Sequence, residues 1–122
     1  MVEKFAAKML MPSIVLFELV ATSIDQQTFE TFERWKIAFT KADRLITPTA
    51  NDYWETAKII RRLYLQRREQ ESKLKTLRSD ALIARLAVRY DCVLVTENVG
   101  DFEILQRIMP RLILASADEF FV

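Results

Sequence analysis

The chain has 122 residues, of which 51% are apolar and 29% charged, with a net charge of +1. That composition suits one folded domain with a sizeable core and argues against intrinsic disorder. There is no histidine, one cysteine (Cys92) and one glycine (Gly100), which excludes Ser-His-Asp triads, histidine metal sites, internal disulfides, CxxC redox pairs and glycine-rich phosphate loops; an enzyme of this composition rests on carboxylates and a hard metal ion.

Residues Met1 to Leu10 read as a short helix or its remnant. Lys4 and Lys8 precede an apolar run from Met9 to Phe17, which is superficially signal-like, but Pro12 interrupts it and Glu18 ends it. No stretch approaches the roughly 20 apolar residues of a membrane span. One unpaired cysteine and no export signal point to the cytoplasm, with no membrane partner. Ser13 can cap a helix that carries Ile14, Phe17, Val20 and Ala21 on one side. Phe29, Phe32, Trp35 and Phe39 repeat at helical spacing. Arg44 to Thr47 is a short strand ahead of Pro48, and Thr49 and Asp52 have the spacing of a capping box. The helix that follows carries Tyr53, Ala57, Ile60 and Tyr64 on one stripe and runs into a basic stretch.

The last third has the clearest pattern. Asp80 to Tyr90 is a helix with Leu82, Ile83, Leu86 and Ala87 inward. Cys92 to Thr96 is a continuous apolar, β-branched run, the mark of a strand buried on both faces. Glu97 to Gly100 forms a loop, Asp101 begins another helix that stops before Pro110, and Arg111 to Ala115 is a second buried strand. Strand, helix and strand in this order, with short loops, predict an α/β fold with a parallel β-sheet flanked by helices. Ser116 to Val122 is ambiguous, and no repeat, low-complexity segment or linker divides the chain.

Residues 61–89 hold nine basic and three acidic residues, a net +6 against −5 for the remainder. A basic flank beside acidic positions can hold a phosphodiester backbone near metal-binding carboxylates. A long solvated helix face accounts for the same pattern. In an open parallel sheet, ligands bind outside the carboxyl ends of the strands. Thr96, Asn98 and Asp101 fall at such an edge, and Asp80 opens the helix that leads back to it. Glu18 stands between the apolar Phe17 and Leu19, an odd place for a charge unless it points into the same cleft. Each residue also has an ordinary role open to it. Asp101 suits an N-cap, Asp80 a first helical turn, and Glu18 an exposed helix face. Thr96 and Asn98 suit a turn. Cys92 suits core filling, and Trp54 and Tyr64 suit packing.

The combination is more specific than its parts. Ser79-Asp80-Ala-Leu-Ile-Ala-Arg-Leu-Ala, followed by Cys92-Val-Leu-Val-Thr96-Glu-Asn98-Val-Gly-Asp101-Phe102, resembles the PIN-domain family, in particular its VapC-like toxins of toxin–antitoxin pairs. The resemblance extends back to Thr47-Pro48 and to Pro12-Ser-Ile-Val-Leu-Phe-Glu18-Leu. It implies a single PIN-like domain, a three-layer α/β/α fold, and a metal-dependent endoribonuclease. Carried over by residue, Glu18, Asp80 and Asp101 match the family's second, third and fourth acidic positions, which hold Mg²⁺ or Mn²⁺, and Thr96 and Asn98 match its polar site residues. The implied partners are RNA and a cognate antitoxin, with a homodimer as a further candidate assembly; Arg61, Arg62, Arg67 and Arg68 are candidates to line the RNA approach or the antitoxin interface. The family opens with a strand ending in aspartate, to which residues 1–10 show no counterpart, so the expected fold is N-terminally incomplete with three acids instead of four. A late start of the reading frame, a decayed copy, or a strand supplied by another chain each accounts for this. The alternative function is a catalytically impaired PIN-like module that binds protein or RNA.

Overall fold

A computed structural model describes residues 9–120, with side chains as far as Asp118. The helix expected over Met1 to Leu10 falls mostly outside the described residues; Met9 and Leu10 belong to no regular element. The fold is α/β and mostly helical, with short parallel strands in two small sheets. The chain divides into two compact units, one ending at Thr47 and the other beginning at Pro48.

The first unit contains β1 (Met11–Pro12), α1 (Ser13–Ala21), α2 (Gln26–Lys41) and β2 (Leu45–Ile46). β1 and β2 pair in parallel, Met11 with Leu45 and Pro12 with Ile46. Ser13 is not the cap of α1: Pro12 stands at the N-cap, without a side-chain hydrogen bond, and Ser13 is the first helical residue. The expected inward side is also shifted, since Leu16 is buried while Phe17 is 71% exposed. With Glu18 the one charge among apolar residues, α1 carries little amphipathic signal, so its sequence does not say which side packs. α2 is capped by Asp25, whose carboxylate accepts the Thr28 amide at 2.7 Å. Its aromatics lie largely toward one side, with Phe39 and Ala38 buried and the Phe32 and Trp35 rings edge to face at 5.1 Å.

The second unit contains α3 (Ala50–Gln66), α4 (Glu71–Thr76), α5 (Arg78–Arg89), β3 (Val93–Thr96), α6 (Val99–Gln106), β4 (Ile113–Ser116) and α7 (Ala117–Phe120). α3 begins with the expected capping box: the Asp52 amide donates to Thr49 Oγ1 at 3.1 Å, and the Thr49 amide donates to Asp52 Oδ2 at 2.8 Å. Its buried stripe is Asp52, Thr56, Ile60 and Leu63, not Tyr53, Ala57, Ile60 and Tyr64. Asp52 is drawn inward by two arginines of α5, which turns Tyr53 and Trp54 outward to 57% and 64% exposure. Trp54 therefore does not pack, whereas Tyr64 lies against the core.

α5 packs against α3 with Ala81 and Ala84 fully buried between larger residues. The core joins Leu63 of α3, Leu74 of α4, Ala81 and Ala84 of α5, and Phe102 and Leu105 of α6. Leu82, Leu86 and Ala87 are buried as expected, and Ile83 partly so. β3 and β4 pair in parallel register from Val93 with Ile113 to Thr96 with Ser116. The expected burial on both faces does not hold, because Val93 and Ile113 keep 49% and 55% exposure. Val93 and Ile113 are the paired first residues of the two strands, so the exposure falls at one end of the sheet, and the three following pairs are partly buried. Cys92 precedes the strand, half-buried rather than core.

Candidate functional site

β3 is four residues long and leads directly into α6, while α5 enters β3 through the short turn at Tyr90 to Cys92. Helix α5 consequently runs back along β3, and its first turn, with Asp80, lies toward the strand's carboxyl end. Asp80 is half-buried in that turn.

Beyond β3 the chain folds over itself through side chains. The Asn98 amide donates to Thr96 Oγ1 at 2.9 Å, fixing the turn out of the strand. Helix α6 starts at Val99, so the expected loop is two residues shorter and Asp101 is not the N-cap. Asn98 holds that position without a side-chain bond to the helix backbone; its Nδ2 donates instead to Asp101 Oδ2 at 2.8 Å. Asp101 sits in the first turn, where the helix dipole favours its charge.

The other oxygen of Asp101 accepts from the ammonium of Lys73, on α4. Lys73 holds the Asp101 carboxyl below the usual carboxylate range; burial opposes this and Asn98 reinforces it. Sequence reasoning counted Lys73 only within the basic stretch. The 28 residues between the partners leave no local signal for the pair.

Glu18 lies exposed on α1 in the first unit, whereas Asp80, Thr96, Asn98 and Asp101 belong to the second. Carboxylates and amide oxygens are the hard donors that Mg²⁺ and Mn²⁺ take. Both oxygens of Asp101 nevertheless have internal donors, and among the described residues no group of three or more His, Cys, Asp or Glu gathers to hold a metal ion. The arrangement as it stands does not fit a divalent cation, because Lys73 holds one of the oxygens such an ion would take.

The basic stretch separates into two sets. Arg85 and Arg89, one turn apart on α5, direct their Nε atoms at Asp52 Oδ1 from 3.1 and 2.9 Å. Asp52 is fully buried; burial alone would raise its pKa, but the Thr49 hydrogen bonds, Arg85 and the Arg89 charge outweigh it and hold the carboxyl low. Those two arginines serve the fold. Arg61, Arg62, Arg67 and Arg68 are exposed and form no ion pair among the described residues. Trp54, Lys58, Arg61 and Leu65, at helical spacing, share the outward side of α3. Among the described residues no helix is long and apolar enough to cross a membrane.

Comparison with protein-family models, with curated proteins and with solved structures finds no match.

Proposed function

We propose that the chain is a PIN-like protein of the VapC type, an endoribonuclease that hydrolyses RNA phosphodiester bonds with Mg²⁺ or Mn²⁺ and is restrained by a cognate antitoxin. The observation that supports this reading is the Thr96-Glu-Asn98-Val-Gly-Asp101 run leaving the carboxyl end of a parallel strand, where α/β units bind ligands, with Asp80 in the first turn of the helix that precedes that strand. Thr96 and Asn98 orient Asp101 there through the hydrogen bonds described above. The outward side of α3 supports the choice of RNA: exposed Trp54 offers a stacking surface on the same side as Lys58 and Arg61, and the exposed Arg62, Arg67 and Arg68 follow toward the helix end. Glu18 is assigned to the same chemistry by the resemblance alone.

A second reading, an impaired PIN-like module that binds RNA or a protein partner, is favoured by one observation, the Lys73 ammonium on Asp101. Metal titration of the purified protein, following RNA cleavage and RNA binding together, separates the two. Under the nuclease reading, Asp80→Asn and Asp101→Asn each abolish Mn²⁺-dependent cleavage while circular dichroism shows a folded chain. RNA binding without cleavage at any Mn²⁺ concentration establishes the second reading, and unchanged cleavage in both variants removes the site assignment. Charge reversal at Arg61, Arg62, Arg67 and Arg68 weakens RNA binding and flattens its salt dependence under the nuclease reading, and under the second reading where the partner is RNA.

A further inference from the structure

We propose that Trp54 is a base-stacking residue, and that the outward side of α3 takes an unpaired RNA segment in preference to a duplex. The inference rests on the reading of the partner as RNA. It adds the state of the strand and the side chain that detects it.

Three features make the indole available. Asp52 is drawn inward to Arg85 and Arg89, so the helix turns Trp54 outward, where it is 64% exposed. One turn away along the helix on either side stand Ala50 and Ala57, whose side chains end at Cβ and are too short to cover the ring. Among the described residues Trp54 enters no ring contact and no cation–π pair, whereas Trp35 meets Phe32 and Tyr90 meets Arg89.

The charge along the same helix fits a sugar-phosphate backbone. α3 holds two acids, Asp52 and Glu55, and both are matched: Asp52 by Arg85 and Arg89, Glu55 by Lys58 at 3.0 Å. Arg61 and Arg62 on the helix, and Arg67 and Arg68 at its end, stay uncompensated among the described residues. From Trp54 to Leu65 the helix rises about 16 Å, which sets the ring near one end and the free positive charge toward the other. The arginines alone would favour a duplex, whose phosphates are more densely packed. Trp54 reverses that preference. A duplex keeps its base faces inside the stack, while an unpaired strand can lay one on the indole.

The test is anisotropy of a labelled, unstructured RNA oligonucleotide and of an RNA duplex of the same length, on the full chain without divalent metal so that nothing is cleaved. The native chain is expected to bind the single strand about tenfold more tightly than the duplex. Trp54→Ala is expected to weaken single-strand binding about tenfold, the scale of one stacked base, with its salt dependence unchanged, and Trp54→Phe to retain most of the affinity. Arg61→Ala is expected to weaken both complexes and to flatten the salt dependence. In a Trp35→Phe background the remaining indole emission should be quenched by the single strand and not by the duplex. If Arg61→Ala weakens RNA binding while Trp54→Ala changes nothing and the duplex binds as tightly, the RNA reading stands and the stacking role is overturned. If neither RNA binds, the RNA reading falls and the inference with it. Quenching by polyglutamate in place of RNA would assign the face to an acidic protein partner, and a dimer lost on Trp54→Ala in sedimentation velocity would assign it to a second copy; either overturns the proposal.

Discussion

Asp52→Ala should be one of the costliest single substitutions in the second unit. Asp52 is fully buried, yet its carboxylate accepts the Thr49 amide at 2.8 Å and Arg85 Nε at 3.1 Å and forms an ion pair with Arg89, whose Nε lies 2.9 Å away. Alanine removes the N3 half of the capping box, worth about 1 kcal/mol. It also leaves two guanidinium groups facing an apolar methyl. Breaking a wholly buried ion pair costs about 3–5 kcal/mol. Here the arginine side chains keep 22% and 31% exposure, so water replaces part of what the carboxylate supplied. The expected loss is therefore about 2–4 kcal/mol in all. With a urea m-value on the order of 1–3 kcal/mol per molar, a loss near 3 kcal/mol lowers the unfolding midpoint by at least about 1 M. Arg85→Met should cost less than half as much, because Arg89 still reaches the same oxygen. A midpoint shift for Asp52→Ala below about 0.3 M, or an equal shift for Arg85→Met, would refute the view that this carboxylate joins α3 to α5.

The same carboxylate sets a pH dependence. A carboxyl whose folded pKa lies below its unfolded value, about 3.9, contributes fully above that value and loses its contribution as pH falls through the folded pKa. Urea midpoints should stay level from about pH 7 to 5 and drop below about pH 4, with a shallower drop in Asp52→Asn; an unchanged slope in that variant counts against the assignment. Leu105→Ala empties a position with no exposure at the centre of the second core and should cost about 2–5 kcal/mol by chemical denaturation. Arg67 ends α3 in the left-handed region at φ 54°, where a side chain is unfavourable, so Arg67→Gly should raise stability by about 0.5–1 kcal/mol in the same assay.

What the residues alone determined are the features written in contacts of three or four positions. The Thr49–Asp52 capping box, the helix over Arg78–Arg89 and the apolar β-branched run before Thr96 all depend on near neighbours, and all appear within a residue or two of their predicted bounds. The parallel pairing of Val93–Thr96 with Ile113–Ser116 followed from the short loops around a single helix. Tertiary structure decided which side of each helix turns inward and which charges meet. Asp52 and Arg85 are 33 residues apart, Lys73 and Asp101 28. No local periodicity encodes such pairs, because they depend on the angle and depth at which whole helices pack. For that reason Arg85, Arg89 and Lys73 read in sequence as one solvated basic run, and only packing divides them into two that hold the fold, one that occupies the candidate site, and the exposed arginines of α3 and the turn after it.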